Sequence, residues 1–293
     1  MMENDAKISE LQALVSLIDD PDLGVFQSVF ERISEHGEVA LPFLQTAWDT
    51  CLDKKVEQRI SLLIQKIRKD VVLNELLESC ENDCQDLLAA WISLSKLQYP
   101  NISENEIRFE FNRIRKSIWL ELNSNLTSLE QIKILNHVFF DIHGFAPNLN
   151  DADNFDNLYI NKILTAHLGS PVSLSAFYMI LAQSLELPVY GVNLPGYFVL
   201  AYTGKAFNHL SMLMEDHKVL FYINPYGKGQ VFSAPEIEKY LSRIQIDPLP
   251  THFNPCTNKE ILLRLIESLI ASYDLISENN FVDVLKSIRS KIS

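Results

Sequence analysis

Ser173, His209 and Asp216 are the residue types of an acyl-transfer site: a hydroxyl to attack a carbonyl, an imidazole to take its proton and a carboxylate to orient the imidazole. Ser173 follows Gly169-Ser170-Pro171-Val172, where Ser170 is suited to cap a helix and Pro171 to open it. A helix N-terminus offers unpaired N–H groups and a partial positive charge, the setting in which an oxyanion or a thiolate is stabilised. No Gly-x-Ser-x-Gly elbow surrounds Ser173, however, and nothing in the sequence brings His209 to it. His137, His143 and His167 are equally without an assigned partner, and His167 lies just before the helix start.

The remaining reactive residues read more simply. Cys80 and Cys84 have the i,i+4 spacing of two metal ligands on one helical face, but no second Cys/His pair stands at ligand spacing, so they read as small buried hydrophobes. With Cys51 and Cys256 they form neither a disulfide scaffold nor paired CxxC units, and no metal or cofactor is expected. The polar stretch from Asn148 to Asn157 could suggest a calcium loop opening at Asp151. That pattern fails, because Phe155 takes the third ligand position, Asp156 the turn Gly and Lys162 the closing Glu. Gly227-x-Gly229 lacks the third Gly and the strand-to-helix setting of a phosphate-binding loop.

Composition narrows the partners. A net charge of −13 argues against nucleic acid and anionic membranes, which need a basic surface, and Arg113, Arg115 and Lys116 are too few to make a patch. The amino terminus has no charged-then-apolar signal pattern, and no run approaches the ~18 apolar residues of a membrane span, so the cytoplasm is the expected compartment.

The elements that must position these residues are mostly helices. Asp20-Pro21 reads as a cap followed by Pro at the first helical position, with Val25, Phe26, Val29, Phe30 and Ile33 at helical spacing behind it. After Gly37, further apolar stripes run from Val39 to Leu44, Val56 to Ile67, Val71 to Leu77 and Leu87 to Leu97. Short amphipathic helices of this kind must stack on one another to bury their faces. Ser103/Glu106, Thr127/Glu130, Ser233/Glu236 and Thr257/Glu260 have the capping-box spacing and mark four helix starts. The helix opened at Ser103 directs Ile107, Phe111, Ile114, Ile118 and Trp119 to the core, and the one opened at Thr127 directs Leu129, Ile132, Leu135, Val138 and Phe139 there.

The helix that begins at Pro171 is apolar nearly all round, which requires burial on several sides. Val189–Leu194, Phe198–Tyr202 and Val219–Ile223 are β-rich runs bounded by Pro and Gly, and Pro195-Gly196 is a turn signal, so three neighbouring antiparallel strands are expected. Two helices, Ile261–Leu275 and Phe281–Ile292, close the chain as a small packing appendage.

The run Gly169-Ser170-Pro171-Val172-Ser173-Leu174, the apolar helix and Leu187-Pro188-Val189-Tyr190-Gly191-Val192-Asn193-Leu194-Pro195-Gly196-Tyr197-Phe198 together resemble the SirB1-like branch of the transglutaminase-like superfamily. The resemblance covers roughly 120–235 and is densest from Tyr159 to Gly229. It implies a papain-like core in which a Cys opens a buried helix, a His follows on one strand and an Asp on the next. Counting back without gaps from Leu187-Pro188 puts the Cys position near Pro171, the family's Pro-Gly-His-Phe becomes Pro195-Gly196-Tyr197-Phe198, and its Ile-Asp-Pro-Phe becomes Ile223-Asn224-Pro225-Tyr226. A phenol with a pKa of about 10 is a poor base near neutrality, and an amide cannot balance an imidazolium.

The expected fold class is therefore α+β and predominantly helical. A HEAT-like helical domain spans 1–120, a transglutaminase-like core with a small antiparallel sheet spans 121–255, and the helical appendage spans 256–293. The resemblance implies a non-catalytic protein that binds a peptide or protein partner in the former active-site cleft, lined by Ser173, Asn193, Tyr197 and Asn224. The alternatives are a hydrolase or acyl transferase built on Ser173 and His209, and a scaffold whose helical domain does the binding.

Overall fold

The computed structural model describes residues 2–81, 84–204 and 218–293. The chain divides into two compact units, Met1–Glu78 with Lys96–Pro100, and Ser79–Ser95 with Asn101–Ser293. The division therefore falls before the expected boundary at residue 120. The segment from Asn101 to Glu121 belongs with the core, because the helix it contains packs on three others there.

The first unit is helical. It contains α1 (Met2–Val15), α2 (Leu23–Glu35), α3 (Leu41–Thr50) and most of α4 (Lys54–Glu81). Leu11, Ile18, Val29, Ile33, Leu44, Ile60, Leu63 and Ile67 form its core. The cap of α2 is Asp22 rather than Asp20: its carboxylate accepts from the Gly24 and Val25 N–H groups, while Asp20 accepts from the Asp22 N–H in the preceding turn. Two expected helices fuse into α4, because the polar Arg68-Lys69-Asp70 step contains no Gly or Pro to interrupt it.

The second unit holds α5 (Leu87–Lys96, all but its last residue), α6 (Glu104–Glu121), α7 (Ser128–Asn136, continued by a π-turn His137–Ile142) and α8 (Ile160–Ala166). Then come α9 (Pro171–Ser184), α10 (Ala234–Arg243), α11 (Asn258–Leu275) and α12 (Asn279–Ile292). The hydroxyls of Ser103, Thr127 and Thr257 accept the N–H groups of Glu106, Glu130 and Glu260, and at Ser233 the Glu236 carboxylate returns to the Ser233 N–H at 2.9 Å. Ile107, Phe111, Ile114 and Ile118 of α6 are buried as their spacing predicts, but Trp119 is 61% exposed and Leu129 on α7 is 48% exposed.

The sheet runs in the order β3 (Val189–Leu194), β4 (Tyr197–Thr203), β5 (Val219–Asn224), β6 (Gln230–Phe232), every neighbour antiparallel. A separate short parallel pair joins β1 (Ala146–Pro147) to β2 (Leu168–Gly169). The Pro195-Gly196 turn works because Gly196 adopts φ +72°, which a side chain would oppose. One sheet face carries Val192, Leu194, Val199, Ala201 and Tyr222 against Ile237 and Leu241 of α10. On the other, Gly191 lies against Phe198 and Ile261, and α9 and α11 cover it. Ile261, Leu262, Leu265, Ile266 and Leu269 of α11 are wholly buried, so this helix is part of the core and not an appendage; the core needs it because α9, apolar all round, must be covered on a second side. Among the described residues no helix is long and apolar enough to cross a membrane.

Candidate functional site

The buried helix α9 lies antiparallel to β3. Near its start the Ser175 hydroxyl reaches the Phe198 carbonyl of β4 at 3.3 Å, and near its end the Gln183 amide reaches the Val189 carbonyl at 2.9 Å. The α9 N-terminus, the end of β3, the start of β4 and the end of β5 thus gather at one end of the sheet, the layout that the resemblance implies. An aromatic cluster holds the helix from behind, with Phe139 stacked on Phe145 at 4.4 Å between ring centroids and Phe145 at 5.3 Å from Phe177 of α9.

The first turn of α9 is closed. Ser173 is fully buried, and it is the third residue of a capping box that the sequence reading did not identify. Its hydroxyl donates to the Asn157 carbonyl and accepts from the Ser170 N–H at 2.9 Å, with the Ser170 hydroxyl at 3.1 Å. A hydroxyl has one donor and two acceptor sites, and all three are used. The Ser170 hydroxyl in turn accepts the Ser173 N–H. Ser173, expected among the binding residues and as the alternative nucleophile, is thus placed in the interior, with its hydroxyl engaged by Asn157 and Ser170. His209 and Asp216 lie outside the described residues.

The loop that supplies the Asn157 carbonyl is the polar stretch after Asn148. Its amides serve one another and the backbone: Asn148 Nδ2 donates to Asn157 Oδ1 at 2.9 Å, and Asn157 Nδ2 to the Asp151 carbonyl at 2.7 Å. Asn157 is 4% exposed. The loop is thus a fixed brace under the helix start.

The other expected residues separate. Tyr197 turns to the α10 face of the sheet, its ring 5.8 Å from that of Tyr240 in an edge contact, whereas its neighbour Phe198 turns to the face covered by α11. The parity of the strand thus moves Tyr197 away from the helix face, since successive strand residues point to opposite sides. Asn224 closes β5 and uses its side-chain oxygen to accept the Gly227 N–H at 3.1 Å, capping the single turn Pro225–Gly227. Burial raises the Tyr226 and Tyr240 phenols above their ordinary range, and the nearby Tyr197 phenol pushes both further, so the three rings share one neighbourhood.

Asn193 has a different role from the rest. It lines a groove of roughly 350 Å³ with Leu194 and Pro195 of the turn, Thr251, His252, Asn254 and Cys256 of the 250–256 loop, and Glu260 and Arg264 of α11. The Cys256 N–H donates to the Gly191 carbonyl at 2.8 Å, which ties this loop to β3. His252 accepts the Leu249 N–H on Nδ1 at 3.1 Å, so the neutral ring carries its proton on Nε2. The Glu260 carboxylate is engaged in the α11 cap, accepting the Thr257 N–H at 2.7 Å. The Arg264 guanidinium has no hydrogen bond or ion pair to a described residue, and its charge opposes the rise of the Tyr240 phenol. Arg264, His252 and Asn254 were missed from sequence; the one available signal was an arginine set between leucines in an apolar run, Leu262-Leu263-Arg264-Leu265. Among the described residues no group of three His, Cys, Asp or Glu side chains is placed to hold a metal ion.

Comparison with known proteins gives this layout a family. Residues 105–267, more than half of the chain, match the family described as "Transglutaminase-like superfamily". Over 202 residues the chain is 25% identical to F-box only protein 21 of Mus musculus, covering 69% of this chain and 31% of that protein. It is 21% identical over 207 residues to a UPF0162 protein of Xylella fastidiosa, covering 67% and 68%. It is 25% identical over 196 residues to protein SirB1 of Salmonella typhimurium, covering 64% and 65%. The chain thus spans about a third of the length of the F-box relatives. No solved structure matches it. A buried helix set against the antiparallel hairpin of β3 and β4, within a matched region that runs from α6 into α11, places the chain in the transglutaminase-like superfamily, as a SirB1-like protein.

Proposed function

We propose that this is a cytoplasmic, non-catalytic transglutaminase-like protein that captures a peptide or protein at the end of the sheet where its relatives' pattern puts the catalytic residues. The observation that carries this reading is the closed first turn of α9: Pro171 stands near the expected nucleophile position, and of the two hydroxyls beside it Ser170 caps the helix while Ser173 is buried with every hydrogen-bonding site engaged. At the sequence positions of the family's base and orienting carboxylate the chain carries a phenol, Tyr197, which faces α10, and an amide, Asn224, which caps the turn Pro225–Gly227, and neither suits proton transfer.

The groove beside Asn193 supplies the surface, and Tyr240, whose hydroxyl donates to the carbonyl of its lining residue Pro195, connects it to the Tyr197 ring. The groove combines a guanidinium that has no partner among the described residues with proline-containing walls, which suits a polypeptide. A net charge of −13 favours a protein partner over nucleic acid.

The test pans a random peptide display library on the full chain and measures the affinity of enriched peptides for wild type, Tyr197→Ala and Arg264→Ala. Since buried interface aromatics contribute about 2 kcal/mol, Tyr197→Ala is expected to weaken binding by about 30-fold. The same proteins are offered a panel of peptide, amide and ester substrates. Turnover by the wild type above buffer would overturn the non-catalytic reading, and enriched peptides whose affinity is indifferent to both substitutions would move the binding surface to the helical unit.

A further inference from the structure

The sequence Cys80-Glu81-Asn82-Asp83-Cys84 holds two thiols that the reading above does not use. Cys80 lies in the last turn of α4. Cys84 adopts φ +50°, in the left-handed region that residues with a β-carbon rarely occupy, and its N–H donates to the Ser79 carbonyl at 2.8 Å. The two sulfur atoms lie 2.9 Å apart. That is within about 1 Å of the ~2.05 Å of a disulfide bond.

Two further features give the pair a direction. Cys84 is buried, whereas Cys80 is partly open to solvent. The carbonyl of Cys84 accepts from Asn258 Nδ2 at 3.0 Å, so the first residue of α11 holds Cys84 in place. A metal is a poor occupant, because a closed thiolate site needs further ligands and among the described residues no third His, Cys, Asp or Glu joins the pair.

The geometry points to Cys80 and Cys84 as a site of reversible oxidative modification, a dithiol that hydroperoxides convert into an intrachain disulfide. The Cys80 thiolate attacks a peroxide oxygen and the O–O bond breaks. With hydrogen peroxide this leaves a sulfenic acid on Cys80, and the departing hydroxide takes up a proton to become water. The Cys84 sulfur then attacks the Cys80 sulfur, the S–O bond breaks, and a second water leaves with the Cys84 proton. In sum two thiols and one hydrogen peroxide give one disulfide and two waters, with two electrons passing from the sulfurs to the peroxide. A small dithiol reverses the change by attacking Cys80, the accessible sulfur, and resolving the mixed disulfide.

The test treats the full-length protein with stoichiometric hydrogen peroxide, blocks remaining thiols by alkylation and maps the peptides by mass spectrometry. The expected product links Cys80 to Cys84, leaves Cys51 and Cys256 alkylated, and returns to four alkylated cysteines after dithiothreitol. In Cys84→Ser, which has no resolving sulfur, a sulfenic-acid trap is expected to label Cys80 at least about tenfold more than in wild type. Wild-type protein that keeps both thiols alkylatable while Cys51 or Cys256 is oxidised would overturn the proposal. So would mapped wild-type protein carrying sulfinic acid on Cys80 in place of the bond, a readout that does not depend on any variant folding.

Discussion

The first turn of α9 and the groove beside Asn193 lie at the same end of the same sheet, yet Ser173 in the one and Arg264 in the other are in opposite states. At α9 the Ser170 and Ser173 hydroxyls and the Asn157 carbonyl satisfy one another. In the groove the Arg264 guanidinium has no described partner and Asn193 borders open volume. A buried polar group whose sites are all filled adds rigidity and has nothing left to offer a ligand, whereas an uncommitted one keeps its binding capacity. The polar groups of the helix start are thus spent on the fold, whereas Arg264 and Asn193 at the groove keep hydrogen-bonding capacity.

Substitutions can break this comparison, and the largest effect is expected at Gly169. A β-carbon there would sit 2.8 Å from the Ser173 hydroxyl and 2.9 Å from Leu174, so Gly169→Ala must open the brace. It is expected to lower the unfolding free energy in urea by about 1–3 kcal/mol, as overpacking of a filled interior does. Stability within about 0.5 kcal/mol of wild type would mean that the turn is looser than described. Ser173→Ala comes next, at about 1–2 kcal/mol, because it removes both the cap's return bond and a donor to the Asn157 carbonyl.

Tyr273 sharpens the comparison within a single helix, since α11 carries it together with Arg264. Its hydroxyl lies 3.1 Å from that of Tyr159. Burial pushes its phenol up to about 12, Asp156 and Glu278 add to the rise, and the Tyr159 bond opposes it. The unfolded phenol titrates near pH 10, so the folded form favours the neutral ring. Its contribution is full below about pH 10 and is lost as the pH climbs from about 10 to about 12. Tyr273→Phe is expected to cost about 1 kcal/mol at neutral pH and to flatten the decline of stability across that alkaline window. An unchanged alkaline slope would show that this phenol does not carry it. The smallest effect is expected at Arg264, where Arg264→Ala should stay within about 0.5 kcal/mol of wild type by thermal and urea unfolding. A larger loss would mean that the guanidinium is structural after all.

Much of the fold was legible because its signals are local. A capping box joins residues three apart, so Thr127, Ser233 and Thr257 announced their helices. β-Rich runs between Pro and Gly announced β3, β4 and β5, although the short β6 escaped, since three residues carry too little periodicity. The same local logic slipped where two readings compete. Asp20 and Asp22 both precede the start of α2, and only the hydrogen bonds select Asp22. Ser173 was visible as a hydroxyl near a helix start, but Ser rather than Glu at the third position hid the capping box that consumes it.

The sequence alone determined the helix-rich class, the helix starts, the hairpin turn at Pro195-Gly196 and the departures from Cys, His and Asp at the superfamily positions. These depend on residue types and on spacings of a few residues, which short-range sterics and hydrogen bonds interpret directly. Only the tertiary structure decided that α11 is core, that Tyr197 faces α10, that the Asn157 carbonyl takes the Ser173 hydroxyl and that Arg264, beside Asn193, has no partner among the described residues. Each of these depends on contacts between residues far apart in the chain. Such contacts are set by how several apolar faces are buried at once, and no single segment carries that information.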